Sequence, residues 1–260
     1  MPVTHNVTNR GTGSGVSVIS FNTTVGAGDN LAALIGITWE ALDVDVFTDT
    51  VTFAGLPATF IQLVQNAAGS CEQYLAVGFV AGSRNCTVTW FGPGTIIGCV
   101  GLEVMNDVVQ ATPIGAKGTN HGDPTAGPCT VALVGTVDGS MIVDTIIVNE
   151  SSLTSVTLDP SQTIRWNLNT GPSPTRHFNG GSTKSGSGGA ISMQWTLGAS
   201  CNWDLAAVEF LFQSSTPPVG IGGYTSYTYG DDPTPLESLR PPEEMQRVWV
   251  NDRRYMQGRP

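Results

Sequence analysis

The sequence predicts an all-β protein: an antiparallel, jelly-roll-like β-sandwich followed by an extended C-terminal arm. Three observations carry this. Apolar and polar residues alternate in short runs such as VSVISF (16–21), ATFIQLV (58–64) and QYLAVGFV (73–80), the period of half-buried strands. Charged residues are 12% of the chain, against a usual ~25%, and Gly is abundant at 32 residues, which suits short strands and tight turns rather than long amphipathic helices. Finally, one pattern occurs twice. Residues 86–104 (CTVTWFGPGTIIGCVGLEV) and 191–210 (ISMQWTLGASCNWDLAAVEF) each run to a tryptophan, Trp90 or Trp195. Each then passes a Gly-containing connection and an apolar run, and closes on a glutamate, Glu103 or Glu209.

The echo extends upstream. IGITWE (35–40) answers TIIVNE (145–150), and VTFAGLP (51–57) answers VTLDPSQ (156–162). The offsets are 105 for the tryptophans (195−90), 106 for the glutamates (209−103), 110 (145−35) and 105 (156−51). Two halves with a similar order of strands are expected, joined in one sandwich body.

In chain order, residues 1–15 read as a polar, Gly-rich lead-in. The body spans 16–212. It opens with VSVISF, turns at GAGDN (26–30), and continues with LAALIGITWE (31–40), whose nearly unbroken apolar run suits a strand buried on both faces. VTFAG (51–55), ATFIQLV and QYLAVGFV follow, then the turn AGSRN (81–85) and the first tryptophan strand. Residues 106–130, rich in Gly, Pro and Thr, read as a long crossing between sheets of the kind Greek-key paths use. VALVGTV, SMIVDTIIVN, SVTLD and QTIRWNL resume the strand rhythm, and 169–190 reads as a flexible loop. From 213 to 260 the composition changes to an arm rich in Pro, Gly and Tyr. Its end, EEMQRVWVNDRRYMQGRP, fits either a hairpin turning at Asn251-Asp252 or a short amphipathic helix after Pro242. The β-forming VWV favours the hairpin.

Charge is unevenly placed. Residues 1–239 carry 6 Lys+Arg against 18 Asp+Glu, whereas 240–260 carry 5 Arg against 3 acids. So acidic a body disfavours nucleic acid, whose binding needs basic clusters. No apolar stretch approaches the ~18 residues of a membrane span. The first residues show no basic start followed by an apolar stretch, so no signal peptide is expected. Five cysteines (Cys71, Cys86, Cys99, Cys129, Cys201) lack zinc-site spacing and read as buried free thiols, with a Cys71–Cys86 pair as the alternative.

Signals for chemistry are faint. His5, His121 and His177 lie in polar or Gly-rich stretches, and no GxSxG surrounds a serine. Glu40, Glu103 and Glu209 end apolar runs and are the candidates for a carboxylate pair, although strand-end glutamates ordinarily serve the sheet. Asp43, Asp45 and Asp49 would suit a hard cation such as calcium, but the EF-hand spacing is absent and an exposed acidic face is the simpler reading. No cofactor is expected. Trp203, expected in a loop (ASCNWD), is the body tryptophan suited to a ligand such as a glycan, the others lying on strands. The arm has no core of its own, so its apolar residues require a partner or disorder. Met245, Trp249 and Tyr255 are the expected apolar anchors there, with Arg253 and Arg254 pairing to acidic surface.

The succession GITWE, VTFAGLPAT, TVTWFG, VGLEVMNDVVQATPIGA, SMIVDTIIVN, QTIRWN, GGSTKSGSGGAISMQWTL and WDLAAVEF resembles jelly-roll-like β-sandwich modules of tailed-phage structural proteins and bacterial surface proteins. The resemblance covers about residues 16–212 and rests on sheet-building patterns. It implies a virion or cell-surface setting and carries over no catalytic residue. The expectation is a non-enzymatic virion protein, assembled in the host cytoplasm, that decorates or cements a phage head. Its partners would be other virion proteins and copies of itself. A carbohydrate-binding module of a tail fibre or extracellular adhesin is the alternative.

Overall fold

A computed structural model describes residues 2–41, 47–66, 69–92, 96–149, 155–170 and 177–213. The arm beyond 213, with Met245, Trp249, Arg253, Arg254, Tyr255 and the hairpin-or-helix question, lies outside the described residues, as do Asp43 and Asp45.

The described chain is all-β. In order the strands are β1 (Thr4–Val16), β2 (Val18–Val25), β3 (Ala32–Ala41), β4 (Phe47–Phe53), β5 (Leu56–Pro57), β6 (Thr59–Asn66), β7 (Gly69–Val77), β8 (Gly82–Phe91) and β9 (Ile96–Asn106). There follow β10 (Ile114–Leu133), β11 (Met141–Asn149), β12 (Val156–Leu158), β13 (Thr163–Thr170), β14 (His177–Ser185) and β15 (Ile191–Phe210). One sheet has the order β1-β9-β3-β7-β6 and a second the order β2-β8-β4-β5. The third runs β10-β15-β11-β14-β13, with β12 also on β15. The pairings are antiparallel.

The repeat is written into this topology. The first and third sheets match strand for strand. In the second half one long pair replaces two shorter ones. Ile114–Gly122 of β10 opposes Trp203–Phe210 as β1 opposes β9, and Gly127–Leu133 opposes Ile191–Leu197 as β2 opposes β8. Register shifts between Gly122 and Gly127 mark the bend from one layer to the next, the usual effect of bulges.

Each half has its own core. In the first, Ile35, Ile37, Val100 and Leu102 pack on Ile19, Phe53, Val88 and Trp90. In the second, Ile142, Ile146, Leu205 and Ala207 pack on Cys129, Val131, Met193 and Trp195. A further apolar layer joins the halves: Ala32, Leu34 and Met105 meet Met141, Val143, Val208 and Phe210. Beside it, Val64 and Cys71 meet Ile147 and Ala206. The single sandwich expected for 16–212 is therefore two sandwiches packed back to back. The physical cause is double burial, since β9 and β11 are buried along nearly their whole length and must be covered on both faces.

Three further expectations are corrected. The lead-in 1–15 contains β1, an edge strand on β9. The crossing 106–130 contains most of β10. The loop 169–190 contains β14, a buried strand between β11 and β13. The glycines that suggested a loop are there because large rings lie on them. A Cβ on Gly180 would sit 2.9 Å from the Trp195 ring, and one on Gly181 would sit 2.3 Å from the Trp166 indole nitrogen.

Candidate functional site

The halves meet through polar groups as well as apolar ones. From β6, the Gln62 amide donates to Gln73 Oε1 (2.6 Å) and to the Ala207 carbonyl (2.9 Å). From β7, the Gln73 amide donates to Thr145 Oγ1 (3.2 Å) and to the Ala206 carbonyl (3.1 Å). Gly36 on β3 faces Thr145 so closely that a Cβ would lie 2.3 Å from the hydroxyl oxygen. These two residues hold equivalent places: Gly36 pairs with Gly101 and Thr145 with Ala206, again 105 apart (206−101). A duplicated pair cannot keep two side chains where the copies touch.

Carboxylates and indoles organise the rest. Trp166 on β13 reaches β9 and donates its Nε1–H to Glu103 at 3.2 Å, lying over Gly101 and Gly181. Trp195 Nε1–H donates to Asp144 at 2.8 Å, and the Ser182 amide donates to the same carboxylate at 2.6 Å. Trp39 Nε1–H donates to Glu72 at 2.8 Å, and Glu72 also accepts from Thr48 (2.9 Å) and Tyr74 (2.8 Å). Buried carboxylates need such donors, since an unpaired one is costly in a low dielectric.

The glutamates proposed as a carboxylate pair serve different networks. Glu103, 1% exposed, faces the second half and is held by Trp166. Glu209 lies on the other face of its sheet and accepts from Ser140 Oγ (2.5 Å), the Val137 amide (2.6 Å) and the Ala116 amide (2.9 Å). Glu40 lies 3.1 Å from His177 Nε2. The matching of Glu103 with Glu209 was one residue out of frame. Ile35 pairs with Leu102 and Asp144 with Ala207, so offset 105 (207−102) sets Glu103 against Val208 and Glu209 against Val104. The upstream strands are then offset by 109 (144−35) rather than 110. With a side-chain period of two, a slip of one changes the face.

Trp203 is placed differently from the expected loop. It stands within β15, 5% exposed, in the second core, with its indole folded over Gly122 of β10. It offers no open ring face for a sugar. Asp49 is exposed on β4, and among the described residues no group of three or more His, Cys, Asp or Glu is placed to hold a metal. The five cysteines are buried and none of them is in a disulfide. Cys71 faces the junction of the halves and Cys86 the first core, so they do not form a disulfide. Burial pushes the thiols of Cys86, Cys99 and Cys129 up to about 12, away from reactive thiolate.

Burial also pushes Asp144 up to about 7, against the hydrogen bonds from Trp195 and Ser182, and Asp204 up to about 7, against the Asn66 amide. Glu103 is pushed well above its usual value by burial and then by neighbouring Asp144, with Arg165 and Trp166 opposing. In the unfolded chain these acids titrate near ~4. The folded state therefore holds extra protons between ~4 and 7, and this contribution to stability is lost as pH rises through 7. His5, lowered to about 4 by burial and then by Arg165, acts oppositely, but only below its unfolded value of ~6.5. Melting temperature is expected to fall between pH 6.5 and 8, and Asp144→Asn to flatten that slope. A melting temperature rising over this range, or a slope untouched by the substitution, contradicts the assignment.

One surface feature stands out. Phe47 and Thr48 of β4, Leu63 and Gln65 of β6, and Trp39, Ser70 and Glu72 line a groove of about 210 Å³ at the side of the first sandwich. Phe47 is 64% exposed and Leu63 45%. Sequence reading missed this face because a bulge between Phe60 and Gln62 breaks the simple alternation of β6. In comparison with known proteins, no family model matches the chain, and no curated sequence or solved structure is similar to it.

Proposed function

We propose that this chain is a non-enzymatic structural protein of a phage particle. In this reading two jelly-roll sandwiches form a rigid body on the head, and the arm 213–260 ties it to neighbouring virion subunits. The observation that carries the reading is the back-to-back packing of the duplicated halves, which makes one stiff block from two sandwiches and spends the buried carboxylates on holding it. The order β1-β9-β3-β7 facing β2-β8-β4-β5 is that of two Greek keys closed into a jelly roll, which supports assigning each half to that fold. The charge division supports the arm's role: residues 1–239 carry 6 Lys+Arg and 18 acids, and the arm end 240–260, with 5 Arg and 3 acids, can complement that acidic surface on a neighbour. Many weak arm contacts in an array stabilise it more than one alone.

Residues 1–215 form one compact unit, so removal of 216–260 tests this directly. The truncated chain is expected to keep its melting temperature yet fail to join particles. Incorporation at normal stoichiometry would overturn the reading. Glycan binding by the truncated body would favour the carbohydrate-binding alternative, and substrate turnover by it would favour a hydrolase.

A further inference from the structure

On the side turned toward the first core and away from the second half, the β6–β7 edge carries an apolar strip. Phe60 (53% exposed) packs edge-on against Tyr74 at 5.4 Å, and Leu63 pairs with Glu72 on the same face. Phe47 extends the strip from β4 across the groove. The fold does not require it. β13 and β14 occupy the corresponding places in the second half, and on those two strands Ile164 is the one large exposed apolar side chain among the described residues. An apolar strip kept in one copy of a duplicated fold, and beside acids, is a docking surface rather than a by-product of sheet building. The acids are Asp49, exposed on β4, and Glu72, which lines the groove itself. Lys117 Nζ donates to the Ile61 carbonyl at 3.1 Å, covering part of the β6 edge, so an occupant lies on this face rather than adding a strand to the edge.

We propose that this face receives the segment 245–256 (MQRVWVNDRRYM) of a second copy of this chain, with Trp249 entering the groove between Phe47 and Leu63 and Arg253 and Arg254 meeting the acidic surround. The inference rests on the reading that the arm works between copies. The segment matches the face in both chemistries at once: an indole flanked by two valines for an apolar groove, and a paired arginine for acids. It belongs to the part of the chain outside the described body, 45 residues from Thr216 to Pro260, which is long enough for its far end to reach a neighbour.

The test uses the full chain with Trp249 replaced by a photo-reactive phenylalanine analogue. Isotopically light and heavy copies are mixed, irradiated, and the cross-linked peptides mapped. Light–heavy cross-links onto peptides holding Phe47, Phe60 or Leu63 are expected. The combined substitutions Phe47→Ser, Phe60→Ser and Leu63→Ser are expected to lower their yield about tenfold, as loss of a hot spot does. The same substitutions should leave the melting temperature unchanged, because these side chains are exposed. Cross-links between copies at other surfaces would overturn this face while leaving the arm reading in place. Cross-links only within one copy would overturn the exchange between copies. The absence of any cross-link to this chain would overturn both.

Discussion

Trp195→Ala is expected to cost about 4 kcal/mol of unfolding free energy, the scale for removing a large buried aromatic side chain. Trp195 is 1% exposed and lies on Gly180, with Phe178 edge-on at 5.7 Å. Its removal opens a cavity that glycine cannot fill, and withdraws the Nε1–H donor from buried Asp144. Trp195→Phe separates the two effects, since it keeps most of the ring volume but deletes the donor. The expected loss is then about 1–2 kcal/mol, the scale for a hydrogen bond to a buried polar partner. Chemical denaturation of the full chain measures both. A loss below about 1 kcal/mol for the alanine variant would show that the second core does not depend on this ring.

Gly101→Val attacks the junction between the halves. A Cβ at this position would lie 2.1–2.5 Å from three atoms of the Trp166 indole, so the side chain cannot enter without moving the ring. Displacing Trp166 removes the hydrogen bond to Glu103, a carboxylate that is 1% exposed. Overpacking of this kind costs about 3 kcal/mol. Trp166→Ala in the same chain is expected to return part of that loss, because it removes the clashing ring. A double-mutant cycle over Gly101→Val and Trp166→Ala should therefore show strong coupling. Additive effects would mean that the clash relaxes elsewhere and that Trp166 does not join the halves.

Much of the fold was legible in the chain. The alternating runs located β2, β4, β6 and β7, and the unbroken apolar run LAALIGITWE marked β3 as covered on both faces. The two tryptophan-ended stretches correctly announced a duplication, because Trp90 and Trp195 stand at the same place in the two cores. What failed were the glycine-rich stretches. HFNGGSTKS reads as a loop because glycine is ordinarily the mark of a turn, yet it is β14, where glycine makes room for two indoles. Ring placement is set by residues distant in sequence, which no local pattern contains. The site was less legible. Glu103 and Glu209 looked equivalent, and only the strand register puts them on opposite faces. Trp203 looked exposed in a Gly- and Ser-flanked segment, and only its partner Gly122 across the ladder shows how it is buried.

By itself the sequence determined the class of structure, the presence of two matching halves and the division between an acidic body and a basic end. These follow from periodicity, composition and charge, which are local or additive properties. The tertiary structure alone decided that the halves pack back to back and that Gly36 must differ from Thr145 where they touch. It also decided that the carboxylates are hydrogen-bonded to indoles, and that one half keeps an apolar face the other lacks. Those outcomes depend on which residues meet across more than a hundred positions of chain, and such meetings are settled by packing and burial rather than by any one segment.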